Sequence, residues 1–280
     1  MASSGVSLPV ELVIQIITHA ATTPRNIGTT SSLILCCHTF RYLATPYLYR
    51  WIILHRKSKV EGLIQVLQDN PSYREYIERV SVLAAIYHPL LRSLLDLVQG
   101  PKFHLFTSNQ PFLIHDDDSA YRLPPKLVSL FPNMYISDSP HQVDNVTHLF
   151  VKKIHGGLGN RVTLFRNLRY LAITCFDPAG MRVTVHHVEQ LRNSGAPLEC
   201  VIVLTMNPGA PDELRRLYPE MEASPFVIMY MPSDDHFEMW RDAADGVIDI
   251  WEFIMEKVTV QRRREEEKLR RREGPPDIAV

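Results

Sequence analysis

Five segments of this chain repeat one apolar template, and the template leaves little choice about what they become. They read Ile77-x-x-Val80-x-Val82, Val146-x-x-Leu149-x-Val151, Leu168-x-x-Leu171-x-Ile173, Leu198-x-x-Val201-x-Val203 and Phe226-x-x-Met229-x-Met231. The closing alternation sends every second side chain toward one core, which is the geometry of a short strand. The last four segments begin 22, 30 and 28 residues apart, room for a strand and a helix in each interval. Val185 to Asn193 and Pro211 to Tyr218 supply helical stretches, while Asn167 and Pro197 stand just before strands as turn residues do. Strand, helix and strand in succession require right-handed crossovers and a mostly parallel sheet. The predicted fold class is therefore α/β. Because the period is loose, an irregular solenoid-like domain and a compact α/β sheet without true repeats both fit.

The opening of the chain poses a different problem. Pro9 suits a first helical position, where its missing N–H costs nothing, and Glu11 sits in the positive end of the same helix. After them Leu12, Val13, Ile14, Ile16, Ile17 and Ala20 are apolar, too many for a helix covered on one side only. A polar connector from Ala21 to Ser31 follows, then Leu33 to Cys37, then Phe40, Leu43, Ala44, Leu48 and Tyr49 at helical spacing. Pro46 interrupts that spacing, so one helix is expected to end near Leu43 and another to start around Pro46. Three short helices cannot build a self-sufficient core. The rest of the chain, or a second protein, has to cover them.

These residues resemble an F-box, the motif that docks on the small adaptor subunit of SCF-type ubiquitin ligases. The resemblance rests on Leu8-Pro9-x-Glu11-Leu12 with Ile16 one turn on. Ser32-Leu33-x-Leu35-x-Cys37-x-x-Phe40-Arg41-x-Leu43-Ala44 and Pro46-x-Leu48-Tyr49 complete it. The Thr-bearing connector, Cys36 and His38 depart from the family pattern, in which a Leu-bearing turn, a small aliphatic residue and a basic residue are usual. The strand template, in turn, is similar to the L-x-x-L-x-L core of a leucine-rich repeat. A small docking module before a loose leucine-rich domain resembles the F-box proteins of filamentous and mushroom-forming fungi. The implied organisation is an F-box over 1–55, a leucine-rich-repeat-like domain over 56–256 and a charged tail over 257–280. The resemblance implies a docking face made by Leu8, Pro9, Leu12, Ile16, Leu35, Cys37, Phe40 and Leu43. It further implies an adaptor and a cullin as partners, and a target protein held by the larger domain. The competing expectation is a leucine-rich-repeat-like scaffold that joins no ligase.

Composition narrows the field. A net charge of −1 gives no global attraction to nucleic acid or to an anionic membrane, and no apolar run reaches membrane-spanning length. The start Met1-Ala2-Ser3-Ser4-Gly5 lacks the basic beginning of a secretory signal, so an intracellular location, cytoplasmic or nuclear, is expected. Cys36, Cys37, Cys175 and Cys200 show no Cys-x-x-Cys spacing and are expected to be reduced, buried thiols.

Chemistry is scarce. His115-Asp116-Asp117-Asp118 lacks the Gly and distal Glu of a calcium loop and reads as a solvated turn. His155-Gly156-Gly157-Leu158-Gly159-Asn160 has neither a Gly-x-Ser-x-Gly elbow nor a Gly-Lys-Ser/Thr to make use of it. His186 and His187 are adjacent on a helix and face different ways. No catalytic residue, metal or cofactor is expected. Between Gly100 and Asp144 short apolar pieces at Phe103–Phe106, Pro111–Ile114 and Leu127–Phe131 stand among prolines and polar residues, and no element is assigned there. At the C-terminus Trp251, Phe253, Ile254 and Val258 predict an aromatic helix on the last repeat, with Trp240 beside it. Arg262 to Arg272 then alternates blocks of Arg and Glu whose i, i+3 and i+4 pairs can hold an exposed helix.

Overall fold

The computed structural model describes residues 8–22, 27–109, 122–130, 140–152, 163–174, 178–217, 226–232, 238–239, 242–243 and 248–273. Eight strands form one sheet: β1 (Trp51–Leu54), β2 (Arg79–Val82), β3 (Leu105–Ser108), β4 (Lys126–Ser129), β5 (His148–Val151), β6 (Tyr170–Thr174), β7 (Cys200–Thr205) and β8 (Phe226–Tyr230). Every pair is parallel, and the order across the sheet is the order along the chain. Right-handed crossovers in such an order all fall on one face of the sheet.

The strand residues divide accordingly. Val80, Val82, Phe106, Leu127, Leu149, Leu171 and Val201 share a core with α4 (Lys57–Asp69), α5 (His88–Leu97) and α6 (Pro178–Asn193). Val60, Leu94 and Leu191 are the helix residues most fully buried in it. Val203 and Ile228 extend this face toward Ala210 of α7 (Ala210–Leu217). The residues between them, Leu105, Val128, Phe150, Ala172, Ile202 and Leu204, pack against Ile250, Trp251, Ile254 and Val258 of α8 (Ile250–Glu273). A parallel sheet needs cover on both faces. Among the described residues the crossovers supply one cover, and α8 with Met239 before it supplies the other.

α8 crosses the strands instead of resting on the last one. Asp249, its N-cap, meets Lys126 Nζ at 3.1 Å on β4, and Gln261 Nε2 donates to the Ile228 carbonyl at 3.0 Å on β8. Twelve residues of helix rise about 18 Å, close to the ~19 Å of four strand spacings. Helix length and sheet width match. The helix continues unbroken through residue 257, where the charged tail was set to begin, and Val258 is buried.

Three further departures from the sequence reading have physical causes. β3 and β4 were not assigned because Ser108 and Ser129 occupy the template's last apolar position, yet both are fully buried. In β8 the template set Met229 opposite Val201, whereas Phe226 pairs there and Met229 pairs with Leu204. A three-residue slip is odd, so it exchanges the two faces of the strand. Near the N-terminus α2 spans Ile27–Cys36 and α3 spans His38–Arg50, so the break falls at Cys37 and Pro46 lies inside α3. Buried Ala44, the Tyr47 hydroxyl 3.1 Å from Thr18 Oγ1, and the Tyr49 ring 4.7 Å from that of Tyr73 hold α3 in place on both sides of the proline.

α1 (Val10–Thr22), α2 and α3 pack on one another at the β1 end of the sheet. α3 runs directly into β1, which lies within the segment set apart as residues 1–55 but pairs with β2. The Arg50 Nε–Glu78 Oε2 ion pair at 2.8 Å ties the same junction. Farther on, a Cβ at Gly100 would run into the Arg74 carbonyl, which is why that position has no side chain.

Candidate protein-docking surface

At about 100° per residue the apolar side chains of α1 sweep roughly 200° of its circumference, twice the stripe a single contact needs. The structure buries the middle of that arc and leaves both of its flanks exposed. Ile17 is 1 % exposed, while its neighbour Ile16 is 56 % exposed. Leu8, Pro9, Val10, Leu12 and Ile14 are exposed too.

The α2–α3 corner adds to this surface. Leu35, in the last turn of α2, is 79 % exposed, and Tyr42 on α3 is 73 % exposed. Cys37 is extended (φ −160°, ψ 168°), and its Sγ accepts the Phe40 N–H at 3.4 Å, capping α3 as a Ser or Asp would. The Cys36 thiol donates to the Ser32 carbonyl at 3.2 Å. Both thiols are exposed, a correction to the expectation of burial; Cys200 is buried and Cys175 lies outside the described residues. The Arg41 Nε donates to the Ile34 carbonyl at 3.3 Å, fixing the angle between the two helices.

Of the residues expected to face a partner, Leu8, Pro9, Leu12, Ile16, Leu35 and Cys37 are exposed, and Phe40 and Leu43 are half-buried. Val10, Ile14 and Tyr42 were not among the expected residues. Their signal was available, since Val10 and Ile14 continue the apolar arc of α1, but the family pattern assigns them no position. Burying a Leu or Ile side chain is worth about 1.5–3 kcal/mol. Scattered apolar exposure is ordinary, whereas here it is gathered on three adjoining helices.

Under the start of α8, Asp249 has a fully buried carboxylate that accepts from the Trp251 N–H at 2.8 Å and pairs with Arg79 Nη2 at 3.4 Å and Lys126 at 3.1 Å. Burial opposes its charge, but the two cations and the bonds to it hold its carboxyl below the usual range. Arg79 stacks over Trp51 at 4.2 Å. His148 lies 4.5 Å from the Tyr170 ring and 5.1 Å from that of Trp251; burial, then nearby Lys126, push its pKa down to about 4. A cavity of about 10 Å³ beside Arg79, lined also by Trp51, Ser81 and Leu105, has room for one water molecule and nothing larger. The cluster fastens α8 to the sheet.

His186 is exposed and His187 is buried, its Nδ1 3.1 Å from Gln190 Oε1 and its ring 5.8 Å from that of His186. The acidic run at His115, the glycine loop from His155 and Trp240 lie outside the described residues. Among the described residues no group of His, Cys, Asp and Glu is placed to hold a metal, and no helix is long and apolar enough to cross a membrane. No family model, no curated protein and no solved structure matches this chain.

Proposed function

We propose that this chain is a recruiting subunit of an SCF-type ubiquitin ligase. Its N-terminal helices dock on the adaptor, which joins a cullin, and its leucine-rich-repeat-like sheet domain holds a target protein. One observation supports this reading above the others: α1, α2 and the α2–α3 corner leave Leu8, Pro9, Leu12, Ile16 and Leu35 uncovered, where the F-box resemblance expects a partner. The sequential parallel sheet is the arrangement that stacked repeats of strand and crossover produce. The chain contributes no reacting group in this role. It raises the effective concentration of target near the ubiquitin-conjugating enzyme.

Leu8→Ala combined with Pro9→Ala tests the docking step. Adaptor pull-down is expected to be lost while circular dichroism is unchanged, because neither side chain belongs to the core. Undiminished capture would count against the reading. Capture by the wild type without ubiquitin transfer in the reconstituted complex would assign the chain to scaffolds that bind the adaptor but join no active ligase.

A further inference from the structure

Cysteine is among the residue types most often buried, so two consecutive thiols in water call for a reason. Cys36 and Cys37 are both free and both exposed. They stand where the chain turns from α2 into α3: Cys36 closes α2, and Cys37 is the extended residue between the helices. Each sulfur has its own bond. The Cys36 thiol donates to the Ser32 carbonyl at 3.2 Å, and the Cys37 sulfur accepts the Phe40 N–H at 3.4 Å. Cys200, by contrast, is buried, with its sulfur 3.6 Å from Arg262 Nη2.

Neighbouring Cα atoms lie about 3.8 Å apart across a trans peptide, closer than the roughly 4.4–6.8 Å of ordinary disulfides. A bond between these two sulfurs is therefore strained and readily reduced, as labile disulfides are and structural ones are not. Forming it also turns both side chains away from their present partners. The Phe40 N–H then loses its acceptor, because a donor in the first turn of a helix has no carbonyl within the helix to replace the cap. The same corner carries Leu35, 79 % exposed, and Tyr42, 73 % exposed. A change at the two sulfurs is thus a change in the shape of the docking surface.

We propose that Cys36 and Cys37 form a paired modification site, which a hydroperoxide converts to a reversible disulfide that uncaps α3. One sulfur attacks hydrogen peroxide and becomes a sulfenic acid as the O–O bond breaks and water leaves. The other sulfur then attacks the sulfenic sulfur. The S–S bond forms, the S–O bond breaks, and the departing hydroxide takes the remaining thiol proton as a second water. The pair gives up two electrons, and one peroxide becomes two waters. A thiol reductant reverses the step by exchange. Control of adaptor binding rests on the docking role proposed above; the oxidation and the loss of the cap do not.

The test treats the full chain with hydrogen peroxide and compares it with Cys37→Ser, whose hydroxyl caps α3 as the thiol does. The tryptic peptide from Asn26 to Arg41 holds both cysteines and no other. It is expected to lose about 2 Da on oxidation and to regain it with dithiothreitol, and the variant's peptide is expected to show no such loss. Hydrogen exchange at the Phe40 amide should speed up at least tenfold in the oxidised wild type and stay unchanged in the treated variant. Adaptor affinity should fall at least tenfold on oxidation of the wild type alone. Oxidation that leaves this peptide's mass intact, carries it only to sulfinic acid, or joins it to another chain would overturn the proposal. So would a disulfide that leaves Phe40 exchange or adaptor affinity unmoved. A reduced chain that never binds the adaptor would instead sink the ligase reading, while mass and exchange still decide the site.

Discussion

Ile16 and Ile17 are neighbours in sequence with opposite fates, and that contrast is the most direct reading of the N-terminal helices. Ile17→Ala empties a packed site and is expected to cost about 2–4 kcal/mol by denaturant melt. Ile16→Ala touches no core and is expected to move stability by less than about 0.5 kcal/mol. If Ile16→Ala destabilised the fold as much as Ile17→Ala, the exposed face would not be free. His148 carries a prediction in pH. Its folded pKa of about 4 lies below the ordinary 6.5, so the unfolded chain takes up the proton first as pH falls. The stability contributed by the neutral ring is complete above pH 6.5 and drains away toward pH 4. Partial solvent screening limits the loss to the order of 1 kcal/mol. His148→Phe keeps the ring against Tyr170 and Trp251 and is expected to flatten melting temperature across that window. A slope unchanged in the variant would remove His148 as its cause. None of this was legible in the sequence, because a lone histidine does not announce the aromatic and basic neighbours that three other elements bring to it.

Among the elements, α8 carries the clearest consequence. Asp249→Ala removes the N-cap and leaves Arg79 and Lys126 without their buried carboxylate, a loss of about 3–5 kcal/mol by analogy with broken buried pairs. The same substitution should expose Trp251, so its fluorescence is expected to shift to the red in step with the loss. A stable variant with an unshifted spectrum would mean that apolar packing alone holds the helix. Sequence periodicity recovered β2, β5, β6 and β7 with their faces, because each alternates apolar residues where the pleat needs them. It recovered β8 as a strand but in a register three residues away, since Phe226, Met229 and Met231 satisfy the template as well as Phe226 and Ile228 do. β3 and β4 were hidden by Ser108 and Ser129, whose burial is set by tertiary partners that no local pattern carries. Pro46 misled for the same reason: Ala44, Tyr47 and Tyr49 hold α3 together through contacts distant in sequence.

At the scale of the whole molecule the described fold is a strip of parallel strands with crossovers on one face, α8 on the other, three helices at the β1 end and β8 as the last strand. Both broad faces are covered, so new contacts belong to the ends and outer surfaces. The apolar excess at the β1 end was visible from composition alone. Which side chains stay uncovered depended on how α1 leans on α3, and that only the structure supplied. The measurement that bears most directly on the account is a binding titration of the SCF adaptor against the full chain and against an Ile16→Ala, Leu35→Ala variant of unchanged melting temperature. The account predicts saturable binding by the wild type and at least a tenfold weaker constant for the variant, the loss of about 1.4 kcal/mol or more that two truncated anchors entail. Equal affinity for both, or no binding by the wild type, would contradict it.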